Sequence, residues 1–393
     1  MVIVIGGGPA GMMSAIQASK THEVLLLEKN SALGRKLLLT GNGRCNFSNN
    51  QPIPKFVQAC HGEPKFLYSH LNQFGTKEMI EFLNERGCAV ILENDRYYPK
   101  SMKAREVLDL LEKEVRGCCQ VKTGVEVIDW IIEANKITQV VTSEGILPCD
   151  HVILATGGYS YPQTGSTGDG FKWLKQSGHE IRDVFGSEVG LVTANPRLST
   201  LAGLALSSRS ITLAINQRPL RAIVEDVLFT HVGISGPAIL DLSYDAMLHL
   251  LDGKLVEIRI ALLTEPVNYI SQKTIRNYLE EHLPKRLAKY ILEELNLPPE
   301  TVCNQIRKQH RQELESFLNA FIIPIKDSLP IEKATVTAGG LKLSEVNPKT
   351  LISKNIQNLS VCGELLNVVG PVGGYNLTIA FTTGYAAGSN IGL

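Results

Sequence analysis

No run of ~18 apolar residues occurs, so no membrane-spanning helix is expected. Neither charge is in excess, because 39 Lys plus Arg face 39 Asp plus Glu. That balance argues against a broad electrostatic footprint, so neither nucleic acid nor a membrane surface is an expected partner. The opening Met-Val-Ile-Val-Ile-Gly has no basic segment, and its apolar run is too short for a signal peptide. The eight cysteines (45, 60, 88, 118, 119, 149, 303, 362) show no CxxC and no zinc-finger spacing. They read as free thiols in a reducing cytoplasm, with no metal site. Cys118 and Cys119 are adjacent; two ordinary thiols at a helix end are expected, a strained redox pair being the alternative. Composition excludes disorder as the main state, with 44% hydrophobic and 20% charged residues. What the chain does have is glycine, 34 in all and clustered, as loops need where backbone approaches a ligand.

At ~100–200 residues per domain, two or three domains are expected. Residues 2–5 form an apolar run typical of a buried parallel strand, and a helix is expected from Pro9 to Ser19. A second strand, Val24–Leu27, ends in Glu28 and completes a βαβ opening. Further on, helices are expected over Pro64–Arg86 and Ala104–Arg116, a strand over Cys88–Leu92 and a turn over Asn94–Ser101. Val121–Glu144 alternates like an antiparallel meander, and His151–Ala155 reads as another buried strand. Leu206–Ile215, Arg221–Phe229 and Leu255–Leu263 are β-rich. Residues 265–321 read as three helices, with eight basic and eight acidic residues. Strand texture returns near Lys333–Thr337 and Asn358–Val361, before a helix over Tyr375–Gly388.

Gly6-Gly7-Gly8-Pro9-Ala10-Gly11 fits GxGxxG, follows a strand and opens a helix, and Glu28 stands 22 residues after Gly6. In that context Gly6 permits the tight turn, Gly8 lets a pyrophosphate touch backbone, and Gly11 lets helix pack on strand. Glu28 would accept the adenosine ribose hydroxyls. The fingerprint serves FAD and NAD alike. The far end of the chain favours FAD: Gly373-Gly374-Tyr375-Asn376 opens a helix of small residues (Ala380, Gly384, Ala386, Ala387, Gly388) able to approach a flat ring. Its N-terminus would stabilise negative charge at the ring's carbonyl edge. No second GxGxxG follows a strand, so no separate nicotinamide domain is expected.

Five stretches carry a resemblance: Gly34–Asn46, Gly157–Gly170, Leu228–Ala238, Val336–Gly340 and Gly373–Leu377. In order along nearly the whole chain, they resemble the bacterial flavoproteins of the BaiN-like, or aminoacetone oxidase, family. The resemblance implies one FAD and an α/β fold. A glutathione-reductase-type FAD-binding Rossmann domain (1–189 and 335–393) would hold an inserted β-barrel-like domain (190–264 and 322–334), itself carrying a helical subdomain (265–321). By matching position, Gly6, Gly8, Ala10, Gly11 and Glu28, with Lys29 counted beside it, would hold the AMP half. Arg35, Lys36, Thr40, Gly41, Asn42, Gly43, Arg44 and Cys45 would line the path from pyrophosphate to flavin. Val125 would offer backbone to adenine, and Thr156 and Gly157 would sit beside the ribityl chain. Gly363, Glu364, Gly374, Tyr375 and Asn376 would flank the flavin. Asn367 stands where the family commonly has Asp, and removes a charge there.

Tyr161, His231 and Tyr375 are the candidate proton carriers. A packing role for Tyr161 and a structural role for His231 stay open. The expected reaction is FAD-dependent oxidation of a small amine or aminoacetone-like amino-ketone with O2. The alternatives are an NAD(P)H-fed reductase of a conjugated enone and a non-catalytic or RNA-associated FAD-binding protein. A small-molecule substrate is expected, with O2 or NAD(P)H as redox partner, and a homodimer is compatible with the sequence.

Overall fold

The computed structural model describes residues 1–263 and 265–391. The chain forms two compact units, Met1–Gly186 with Ile331–Leu393, and Ser187–Pro330. The breaks thus fall at 186/187 and 330/331, against expected boundaries of 189/190 and 334/335; the boundary drawn at 264 lies outside the described residues.

The first unit is built on a parallel sheet. Its strands are β1 (Val2–Ile5), β2 (Val24–Glu28), β3 (Gln120–Thr123), β4 (His151–Leu154) and β5 (Leu359–Val361), in the order β5-β4-β1-β2-β3. Ile3 pairs with Leu25 on one side and Val152 on the other. Every residue of β1, β2, β4 and β5 is buried, which is why these strands read as unbroken apolar runs. Helix α1 (Pro9–Ala18) crosses from β1 to β2 and is buried on nearly all sides. Small residues permit that: a Cβ on Gly11 would stand 1.8 Å from the Gly6 carbonyl oxygen.

The C-terminal helix, α4 (Tyr375–Ser389), lies against α1; helices α2 (Ala104–Cys118) and α3 (Asp169–Gln176) come between them in the chain. A Cβ on Gly384 or Gly388 would stand 2.3 or 2.2 Å from the carbonyl oxygens of Ala10 and Ser14. The glycines expected to admit a flat ring therefore serve helix–helix contact, and only the first turns of α4 reach the cleft described below.

The second unit holds a closed barrel of six strands. Their order is Leu191–Thr193, Gly233–Ser235, Arg218–Phe229, Ala205–Ile215, Val256–Ile260 and Phe321–Ser328. Helices Ile275–His282, Lys285–Glu294 and Lys308–Asn319 lie between the last two strands and belong to the same unit as the barrel. The α/β class, Rossmann sheet and inserted barrel are as the sequence implied.

Four local readings change. Gln120–Thr123 is the outer parallel strand β3, not part of the meander, which is confined to Val127–Glu133, Lys136–Thr142 and Gly145–Pro148. Alternation looks the same in both; the separator is Gly124, at φ +76°. The turn expected over Asn94–Ser101 is only Asn94–Asp95, both left-handed (φ +49° and +59°), and Arg96–Pro99 is a hairpin strand on Val90–Glu93. The helix expected over Pro64–Arg86 breaks at Gly75, where a Cβ would meet the Leu71 carbonyl oxygen at 2.4 Å. The helix Pro237–Leu251 was not anticipated: it is apolar on most sides, so it shows little periodicity. No helix among the described residues is long and apolar enough to cross a membrane.

Candidate cofactor site

A cleft opens in the first unit at the carboxyl ends of β1, β2 and β4, where doubly wound sheets place their ligands. Its floor is the glycine loop. Gly6 sits at φ +107°, and a Cβ there would stand 2.5 Å from the Ala155 carbonyl oxygen. Gly8 is the opposite case: at φ −78°, its Cβ would have no neighbour within 4 Å. That empty direction faces the cleft, which Gly8 lines with Pro9 and Ala10. Helix α1 begins there without a side-chain cap and without an acidic residue in its first turn. Its first N–H groups and the positive end of its dipole are therefore available to an anion.

Glu28, at the end of β2, is buried and lines the cleft. Its Oε2 accepts from the Gly7 N–H at 2.7 Å. Its Oε1 accepts from the Asn30 backbone N–H (2.8 Å) and from Asn30 Nδ2 (2.6 Å). The carboxylate is thus fixed in direction, with lone pairs left for a diol. Asn30 also accepts from Arg35 Nη1 at 2.8 Å, and Lys29 Nζ pairs with Asp169 Oδ2 at 2.6 Å and with Thr167. Val125, Val127 and Trp173 line the same cleft; the Val125 N–H is engaged by the Glu28 carbonyl at 3.1 Å.

A half-buried polar knot also borders the cleft. Lys36 Nζ donates to Glu364 Oε2 (2.9 Å) and to Ser160 Oγ (2.6 Å). Glu364 also accepts from the N–H groups of Thr337 (2.8 Å) and Gly158 (3.2 Å) and from Ser160 Oγ (3.1 Å). Burial opposes ionisation of Glu364, but the Lys36 ammonium and these donors outweigh it and hold the carboxyl below its usual range. Four distant stretches of chain meet at this one carboxylate. Beside it, Thr156 lines the cleft, but its hydroxyl oxygen is buried toward Gly170, outside the lining, and has no hydrogen-bond partner.

The expected residues divide by position. Gly6, Gly8, Ala10, Glu28, Lys29, Arg35, Lys36, Thr40, Val125, Thr156, Gly157, Gly363, Glu364 and Asn376 line the cleft. Gly11 lies behind it in the α1 contact. Gly41, Asn42, Gly43, Arg44 and Cys45 follow Thr40 in a turn with left-handed residues and are not in the lining. Arg44 lies over the Tyr98 ring at 5.2 Å, and Cys45 is fully buried, its thiol pushed up to about 12 by that burial. Gly374 is pressed against the Ser48 backbone, and Tyr375 packs on Phe56 at 4.5 Å. Asn367 donates to Glu63 Oε1 at 3.1 Å and is not in the cleft lining, although its neighbour Val368 is. Tyr161 adopts φ +54° at the start of a short 3₁₀ turn, outside the lining. His231 is exposed in the second unit.

Three features were missed. Asn30 and Trp173 line the cleft without any motif to mark them. Ser160 and Thr337 lay inside recognised stretches, but nothing local showed that they share a carboxylate.

Comparison with known proteins places this geometry. The family model described as "HI0933-like protein Rossmann domain" matches residues 1–390. A 3-dehydro-bile acid delta(4,6)-reductase of Clostridium scindens is 31% identical, over 98% of this chain and 97% of its own. A ribosomal RNA dihydrouridine synthase of Escherichia coli is 29% identical, over 99% of this chain and 97% of its own. Among solved structures, a 3-ketosteroid-delta4-(5alpha)-dehydrogenase from Rhodococcus jostii superposes with a TM-score of 0.53 at 13% identity, covering 99% of this chain and 96% of that one. At that identity the likeness is one of fold.

Proposed function

The chain belongs to the HI0933-like Rossmann family and is an FAD-dependent oxidoreductase, and on that premise we propose that it reduces a carbon–carbon double bond conjugated to a carbonyl, in a small molecule. The observation that carries this reading is the chemistry shared by its full-length relatives. A 3-oxo-Δ4,6 steroid acid and the uracil ring of uridine both present a C=C bond in conjugation with C=O; one relative is named for reducing such bonds and the other for a product, dihydrouridine, in which the bond is saturated. This reading is preferred to oxidation of an aminoacetone-like amine with O2, which rests on the resemblance, on the single nucleotide fingerprint and on the helix start at Gly373–Asn376. The zero net charge favours a small molecule over RNA, because a protein that grips a phosphate backbone carries an excess of Lys and Arg.

The cleft fits FAD on its own features: the open direction at Gly8, the uncapped start of α1 and the Glu28 carboxylate held at the end of β2. When bound, FAD supplies the hydride chemistry. The residues hold and orient it. The first turn of α1 would receive the pyrophosphate, and Glu28 the adenosine ribose hydroxyls. Lys36, itself fixed by Glu364 and Ser160, would offer a hydrogen-bond donor to the cleft, its charge balanced by Glu364. Asn376 is clipped to Gly370 through both its N–H (2.9 Å) and its C=O (2.7 Å), which sets the start of α4.

Anaerobic stopped-flow mixing tests the direction of electron flow. NADH or NADPH is expected to bleach the yellow protein rapidly, and air to restore the colour slowly. Slow bleaching by both nicotinamides, with rapid reoxidation by O2 and release of hydrogen peroxide, would return the assignment to an oxidase.

A further inference from the structure

We propose that the adjacent thiols of Cys118 and Cys119 form a chelating site for trivalent arsenicals, independent of the cofactor cleft. Helix α2 ends at Cys118, and Cys119 leaves it with extended backbone (φ −135°, ψ 155°). That change of direction brings the two sulfurs to 3.5 Å of each other. Cys118 is exposed and Cys119 half-buried, so the pair is open on one side. Each thiol is already aimed: Cys119 donates to the Ala15 carbonyl at 3.4 Å, and Cys118 to the Val115 carbonyl at 3.7 Å.

The geometry favours a bridging atom over a direct bond. Consecutive Cα atoms stand about 3.8 Å apart, below the ~4.4–6.8 Å span of ordinary disulfides. Closing an S–S bond would strain the helix end, whereas a third atom between the sulfurs spares them that approach. Burial, with Cys118 alongside, pushes the Cys119 thiol up, so it keeps its proton at neutral pH. A divalent metal ion needs thiolates and must displace that proton. A monosubstituted trivalent arsenical takes two neutral thiols. Two As–S bonds form, two S–H bonds and the arsenic–oxygen double bond break, and the oxygen leaves as water with both protons. Arsenic stays trivalent and no electron changes hands.

No other described cysteine offers this pair. Cys45, Cys60, Cys88, Cys303 and Cys362 are buried, and Cys149 donates to the Ile137 carbonyl. The test is native mass spectrometry of the full-length, FAD-loaded protein with phenylarsine oxide. One adduct per chain is expected, removed by 2,3-dimercaptopropanol but not by a monothiol. Cys118→Ser, at an exposed position, is expected to fold and to lose the adduct, and Cys149→Ser to keep it. Absence of an adduct on the folded wild type, or its persistence in Cys118→Ser, overturns the assignment.

Discussion

Gly8→Val separates the cofactor cleft from the fold. The position has φ −78°, open to any residue, and a Cβ there would meet no protein atom within 4 Å. The apo protein should therefore lose little, about 1 kcal/mol for a poorer helix cap. The valine side chain projects into the space above the first turn of α1. If it displaces an anionic group from two N–H donors, at ~1.5–3 kcal/mol for each charge-assisted bond, the loss is ~3–6 kcal/mol. That corresponds to FAD binding weaker by on the order of 10²–10⁴-fold. Gly11→Val is the control, because its Cβ would overlap the Gly6 carbonyl oxygen at 1.8 Å and should unfold the unit. Flavin fluorescence titration measures affinity, and thermal melting of the apo forms measures stability. Tight FAD binding by Gly8→Val, or a melt as damaged as that of Gly11→Val, would refute the reasoning.

Other perturbations follow from the same geometry. Lys36→Met strands the Glu364 carboxylate among neutral donors and should cost about 2–4 kcal/mol in urea unfolding, partly recovered by adding Glu364→Gln; an additive double variant would contradict the pairing. Removing residues 339–393 takes away β5 and α4, and should abolish FAD binding although the glycine loop is intact; a truncated chain that titrates normally with FAD would deny the C-terminal contribution. His70 and His151 are buried and held neutral, their pKa lowered to about 4 by desolvation. A lowered folded pKa gives stability that is complete above the unfolded value of ~6.5 and is lost as pH falls toward the folded value. Urea midpoints should therefore decline between about pH 6.5 and 5, above the range where most carboxylates titrate; a flat profile there would show that both rings ionise in place.

Much of the fold was legible because its signals are local. β1, β2, β4 and β5 are unbroken apolar runs, and the glycine loop with Glu28 is set by spacing alone. What stayed hidden depends on residues far apart in the chain. Nothing near Glu364 shows that Lys36, Ser160 and Thr337 converge on it. Nothing near Gly384 shows that it touches Ala10 rather than a ring. The stretch Gly41–Cys45 suits a binding loop by composition; in the structure its left-handed angles form a turn beside Thr40, next to the cleft lining. β3 was hidden for a third reason, since alternation marks a half-exposed strand whether its neighbours run parallel or antiparallel.

The central claim is that electrons leave the protein for a conjugated C=C bond. The most direct measurement mixes the dithionite-reduced protein, under nitrogen, with a conjugated enone and separately with its saturated ketone. The account predicts that the yellow absorbance returns with the enone only, and that the saturated ketone accumulates in step with it. Colour that stays bleached with both compounds and returns only on admitting O2, with hydrogen peroxide formed, would contradict it.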